Sequence, residues 1–105
     1  MSDKTKHTPG PWEIKPEESN RNYIRIRGSL VGELYKIANV PLPDYDCERD
    51  AKECRANTRL IAAAPDLLEA LQNLVDQCEQ EPGWHQAPAI QSARAAIAKA
   101  EGRIE

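Results

Sequence analysis

Four side chains in this sequence could gather a soft metal ion: Cys47, Cys54, Cys78 and His85. Their separations of seven, twenty-four and seven residues lack the closely spaced pairs of structural zinc sites, so no metal centre is expected. Cys54 and Cys78 read instead as small apolar groups inside a helical core. His7 and His85 are the only histidines, and each lies among prolines and glycines. No serine or cysteine has a base at the spacing of a nucleophile motif. The acids Asp44, Asp46, Glu48 and Asp50 fall at a helix start, where the peptide dipole favours negative charge whatever the function. With no nucleotide fingerprint either, the sequence predicts a protein that is not an enzyme and needs no cofactor.

Binding chemistry is better represented. Trp12, Tyr23, Arg25 and Arg27 come from extended segments, while Arg55, Asn57 and Arg59 come from a helical one. Aromatic rings beside guanidinium groups are the combination that clasps a phosphate or a nucleotide, arginines on the phosphates and the indole under a base. A solvated sheet face yields the same residue types. The candidate ligand-binding set is Trp12, Arg25, Arg27, Asn57 and Arg59, placed at a junction between subunits. Asn57 has two readings. It is in heptad phase with Ala64, Leu71 and Cys78, where a buried amide would fix register or oligomer order; alternatively it is an exposed residue ahead of a stripe that begins only at Leu60.

These residues must be positioned by a small sheet followed by helices. His7-Thr8-Pro9-Gly10-Pro11 forbids a helix and follows a flexible tail over residues 1–8. Trp12 to Lys15 alternates as a short strand ended by Pro16. Tyr23 to Arg27 is the clearest strand, with Ile24 and Ile26 on one face and Tyr23, Arg25 and Arg27 on the other. Leu30 to Val40 predicts a third strand in which Gly32 leaves the register open and a bulge plausible. The sheet region spans 12–43 and the helical region 46–104, within one domain of 105 residues. The first helix starts near Asp46 or Glu48 and runs to about Ala63. Pro65 then either kinks one long helix or opens a second, since proline is favoured at a first helical position and Asp66 and Glu69 follow it. Gln80 to Pro88 is a loop displaying Trp84 and His85. A last helix from Pro88 has an Ala/Ile seam, Ile90, Ala93, Ile97, Ala100 and Ile104, able to lie antiparallel on the preceding helix. The fold class is therefore α+β: an antiparallel sheet of about three strands followed by a helical hairpin.

From Leu60 to Cys78 the apolar residues repeat every seven positions. With Ala64, Leu71 and Cys78 as position a, Leu60, Leu67 and Leu74 become d, and Ile61, Leu68 and Val75 become e. The stripe is wide enough to meet two neighbours. There is no Phe, and a chain this short buries a modest core, so association with a second copy is expected to complete it, as a dimer or higher oligomer. The net charge of −3 is uneven: residues 1–43 carry seven Lys/Arg against five Asp/Glu, and 44–105 carry seven against twelve. That balance excludes a dedicated binder of duplex DNA. No apolar run is long enough to cross a membrane, the start has no signal-peptide design, and an odd number of cysteines suits reducing surroundings.

His7-Thr8-Pro9-Gly10-Pro11-Trp12 followed by a small sheet, and then Ala56-Asn57-Thr58-Arg59-Leu60-Ile61-Ala62-Ala63-Ala64-Pro65-Asp66-Leu67-Leu68-Glu69-Ala70-Leu71, resembles a widespread group of small proteins encoded by tailed phages and prophages. The stretch Ala93 to Gly102 is similar to their usual C-terminal helix, so the resemblance covers nearly the whole chain. Thr58 departs from the Ala often found there, and the 82–88 loop varies within the group. The resemblance implies an accessory binding protein acting in the host cytoplasm against bacterial defence. One form sequesters a nucleotide immune signal such as a small cyclic nucleotide. The alternative occludes a host defence protein such as a CRISPR effector or a restriction enzyme, through the acidic Asp44 to Glu53 face or the Trp84 loop.

Overall fold

The computed structural model describes residues 7–28, 35–43, 47–83 and 87–103. The start of the third strand at Leu30 with Gly32, the acids Asp44 and Asp46, the Trp84 and His85 loop tip and Ile104 lie outside the described residues. The chain divides into two compact units, Met1–Pro65 and Asp66–Glu105. The element order is β1 (Trp12–Ile14), β2 (Tyr23–Gly28), β3 (Tyr35–Pro41), α1 (Glu48–Ala62), α2 (Ala64–Glu79) and α3 (Pro88–Ala100), an α+β arrangement.

In the first unit the strands form one antiparallel sheet in the order β1-β2-β3. Alternation along β2 dictates which way it faces: Ile24 and Ile26 are buried, while Tyr23, Arg25 and Arg27 are only half-buried. Ile14 stands opposite Ile26 on β1, and Val40 and Ala38 stand opposite Ile24 and Ile26 on β3, so the three strands contribute to one apolar layer. A bulge is present, on β3: Ala38 pairs with Ile26 and Lys36 with Arg27, leaving Ile37 as the extra residue.

Helix α1 touches all three strands. Its first turn carries Glu48 and Asp50, as the dipole prefers. The residues it withdraws from solvent are Asp50, Ala51, Cys54, Thr58, Ile61 and Ala62, Thr58 most completely at 1% exposure. A buried hydroxyl needs a partner; Thr58 Oγ1 donates to the Cys54 carbonyl one turn back at 2.7 Å. At the other end of the unit, a Cβ added to Gly10 would lie 3.0 Å from Cβ of Pro65, so a glycine there lets the N-terminal segment approach the proline.

Pro65 separates two helices. Helix α1 ends at Ala62, Ala63 forms the turn with its amide donating to the Arg59 carbonyl at 3.0 Å, and α2 starts at Ala64. Pro65 and Asp66 thus occupy the first turn of α2, where the missing N–H costs nothing and the acid meets the dipole. In the second unit α2 and α3 form an antiparallel hairpin. Val75, Ile90 and Ile97 are its buried centre, with Leu68, Leu71, Cys78, Ala87 and Ala93 packed around them. Gly102, at φ +80, closes α3: Arg103 donates to the Ala98 carbonyl and Gly102 to that of Lys99, a glycine-terminated helix cap.

The wide heptad stripe is covered unevenly in the single chain. The e positions Ile61, Leu68 and Val75 point inward, whereas the d leucines stay exposed: Leu60 at 63%, Leu67 at 53% and Leu74 at 57%. The e side is therefore inward on both sides of Pro65, and the d side faces solvent in the single chain.

Candidate functional site

The sheet has an outer face opposite the isoleucines, and its polar side chains stand in cross-strand rows. Glu13, Arg27 and Lys36 are adjacent across β1, β2 and β3. Beside them, the Lys15 amide donates to the Arg25 carbonyl at 2.9 Å and Arg25 pairs with Asn39; Tyr23 pairs with Pro41. Arg25 and Arg27 are therefore brought to one face, two residues apart on a single strand.

Each has internal partners. Arg25 donates to a Glu18 carboxylate oxygen at 3.2 Å and to the Pro16 carbonyl at 3.5 Å. Arg27 donates to the carbonyls of Ile26 at 2.9 Å and Ala38 at 3.2 Å. Arg21 pairs with Glu18 at 2.8 Å and lies 5.8 Å from the centre of the Tyr23 ring. Arg25 and Arg21 share the one Glu18 carboxylate, so this edge of the face keeps an excess of positive charge that an anion could meet.

Trp12 is elsewhere. It pairs with Gly28 and so alternates onto the isoleucine side of the sheet, where its indole N–H donates to the Thr8 carbonyl at 2.9 Å and His7 packs edge-on at 6.1 Å. Within one chain the indole and the two sheet arginines face opposite ways. Asn57 and Arg59 are exposed on α1 in the single chain. Asn57 contributes to an open groove of about 380 Å³ whose other walls are Pro41, Leu42, Pro43, Asp50, Glu53 and Cys54. Prolines and a leucine on one side with carboxylates on the other suit a long basic side chain, stem against the apolar wall and charge against the acids.

Sequence reasoning missed the tie between α1 and the segment after β1. Arg55 donates from Nε and an Nη to both Glu17 carboxylate oxygens at 2.9 and 3.0 Å, across 38 positions of sequence. Those hydrogen bonds hold the Glu17 carboxyl below its ordinary range, partial burial opposing them. No local pattern could have signalled a pair so far apart. Cys47, Cys54 and Cys78 are free, half-buried thiols, and among the described residues no three His, Cys, Asp or Glu side chains gather as a metal ion would require.

A family model described as Salmonella phage P22 protein Y8K6 matches residues 1–104. The chain belongs to this phage protein family. No curated protein and no solved structure matches it. Among the described residues of this phage family member, no helix is long and apolar enough to cross a membrane.

Proposed function

We propose that this phage-family protein is a non-catalytic accessory factor of the infected cell's cytoplasm that counters bacterial defence by holding an anionic nucleotide signal. The observation that carries the proposal is the outer face of the sheet, where Arg25, Arg27, Lys15 and Lys36 stand together with Tyr23 at one end and Glu13, paired with Lys15 at 3.3 Å, among them. A nucleotide phosphate would displace Glu18 from Arg25, exchanging one charge-assisted hydrogen bond for another. In this reading the protein self-associates, and Trp12, Asn57 and Arg59 reach the ligand from a second copy, since Trp12 faces away from Arg25 and Arg27 in its own chain. Calorimetry with a panel of cyclic oligonucleotides and cyclic ADP-ribose isomers tests it: stoichiometric binding lost in Arg25→Gln/Arg27→Gln supports it, and silence across the panel removes it.

The groove beside Asn57 favours a second reading, in which the protein occludes a host defence protein by seating a basic side chain against Asp50 and Glu53. Pull-down from host lysate separates the two, because a nucleotide sponge requires no protein partner and an occluding protein requires one that Asp50→Asn/Glu53→Gln releases.

A further inference from the structure

We infer that the sheet face holds a phosphodiester group in a cradle between Arg21 and Arg25, and that the Glu18 carboxylate fills this seat in the single chain as an internal competitor. The seat rests on the reading of that face as a nucleotide site given above, and deepens it.

Glu18 lies in the segment between β1 and β2, and each of its two carboxylate oxygens is taken by a different arginine. Arg21 Nε meets Oε1 at 2.8 Å, and Arg25 donates from an Nη to Oε2 at 3.2 Å. Two guanidinium groups on one carboxylate leave a positive charge uncompensated, and the surroundings add to it. Among the described residues of the outer face, Lys15, Arg21, Arg25, Arg27 and Lys36 meet only Glu13 and Glu18, in a chain whose net charge is −3. A basic field on an otherwise acidic molecule draws anions to this face in preference to the rest of it.

The cradle does not depend on Glu18. Arg21 also donates from an Nη to the Tyr23 hydroxyl at 3.2 Å and lies 5.8 Å from the centre of that ring, while Arg25 also donates to the Pro16 carbonyl at 3.5 Å. These contacts remain when the carboxylate leaves, so the donors are already aimed and a ligand has little left to order. Glu18 can leave readily. Its side chain is 42% exposed against 21% for Arg25, exposed ion pairs are weak, and the turn is held by main chain, the Arg21 amide donating to the Glu18 carbonyl at 3.0 Å.

What Glu18 offers the arginines describes the ligand: a single negative charge spread over two oxygens that meet two different guanidinium groups. A phosphodiester offers the same charge and two unesterified oxygens, with its ester arms leading away from the seat to the rest of a nucleotide. Arg27 turns an Nη back to the Ile26 and Ala38 carbonyls, so it contributes charge beside the seat.

Titration of the isotope-labelled full chain with dimethyl phosphate at constant ionic strength, read by nuclear magnetic resonance on the arginine Nε–H signals, tests this. The Arg21 and Arg25 signals are expected to shift and saturate together. Glu18→Gln, which removes the internal competitor, should tighten binding about three- to fivefold, the strength of an exposed ion pair, a gain that no loss of folding could produce. Arg21→Gln and Arg25→Gln should each weaken it at least about fivefold. Lys99→Gln, an equal loss of charge on α3, should leave it unchanged. Binding that Glu18→Gln leaves as in wild type overturns the role of Glu18. Arginine signals that stay unmoved in both proteins overturn the seat, and if calorimetry still finds nucleotide bound, the nucleotide reading stands without it. Silence of the nucleotide panel while dimethyl phosphate moves both signals removes the nucleotide and keeps the phosphodiester seat.

Discussion

Leu74 and Val75 are neighbours on one turn of α2, and the structure assigns them opposite environments: Leu74 is 57% exposed and Val75 is 5% exposed at the centre of the hairpin. Truncating each to alanine measures that difference. Val75→Ala removes two buried methyl groups, about 1.6 kcal/mol of transfer free energy. A cavity term follows because the surrounding helices relax only in part, so the total is about 2–3 kcal/mol. Leu74 withdraws less than half of its side chain from water in a single chain, so Leu74→Ala should cost about 1 kcal/mol or less at a concentration low enough to keep chains apart. Urea denaturation at sub-micromolar protein, followed by circular dichroism, reads both. A Leu74→Ala variant that is more damaging than Val75→Ala in the dilute limit would refute the register.

Three further outcomes follow from particular contacts. Gly102→Ala should lower stability by about 1 kcal/mol, because φ +80 at the α3 cap is a left-handed conformation that a Cβ opposes; thermal unfolding checks it. Glu17 has a folded-state pKa below its ordinary value because Arg55 hydrogen-bonds its carboxylate. Its contribution to stability is therefore present above the ordinary value of 4.5 and lost as pH falls through the lower folded value; Glu17→Gln should flatten that part of the acid limb of a stability-versus-pH curve, and should do so less in high salt. Thr58→Ala should destabilise by about 1–2 kcal/mol and Thr58→Val by less, since valine refills the space and the Cys54 carbonyl keeps the α-helical bond from the Thr58 amide; a valine variant worse than alanine in chemical denaturation would show that the hydroxyl, not the packing, is what the site needs.

The sheet and the existence of each helix were legible because their signals are local. Alternation across Tyr23 to Arg27 set the two faces of β2, and Pro41 and Pro43 marked the exit from the sheet. Pro88 opened α3 as a proline at a helix start should. Where the sequence misled, the information was not local. Whether Pro65 kinks a helix or opens a new one depends on what each half packs against, and the sequence left both open. Thr58 looks like a surface residue until α1 is laid on the sheet. For the candidate site, the spacing of Arg25 and Arg27 placed them correctly on one face, yet nothing near Trp12 revealed that its strand would present the indole on the other side. That depended on the pairing of Trp12 with Gly28, which is set by the register between two strands.

Native mass spectrometry of the full-length protein recovered from phage-infected cells tests the account most directly, since it reads copy number and bound mass together. The account predicts a dimer or higher oligomer carrying an intact non-covalent adduct of nucleotide mass that Arg25→Gln/Arg27→Gln releases. A bare monomer from the same cells, with no adduct in either protein, would contradict it.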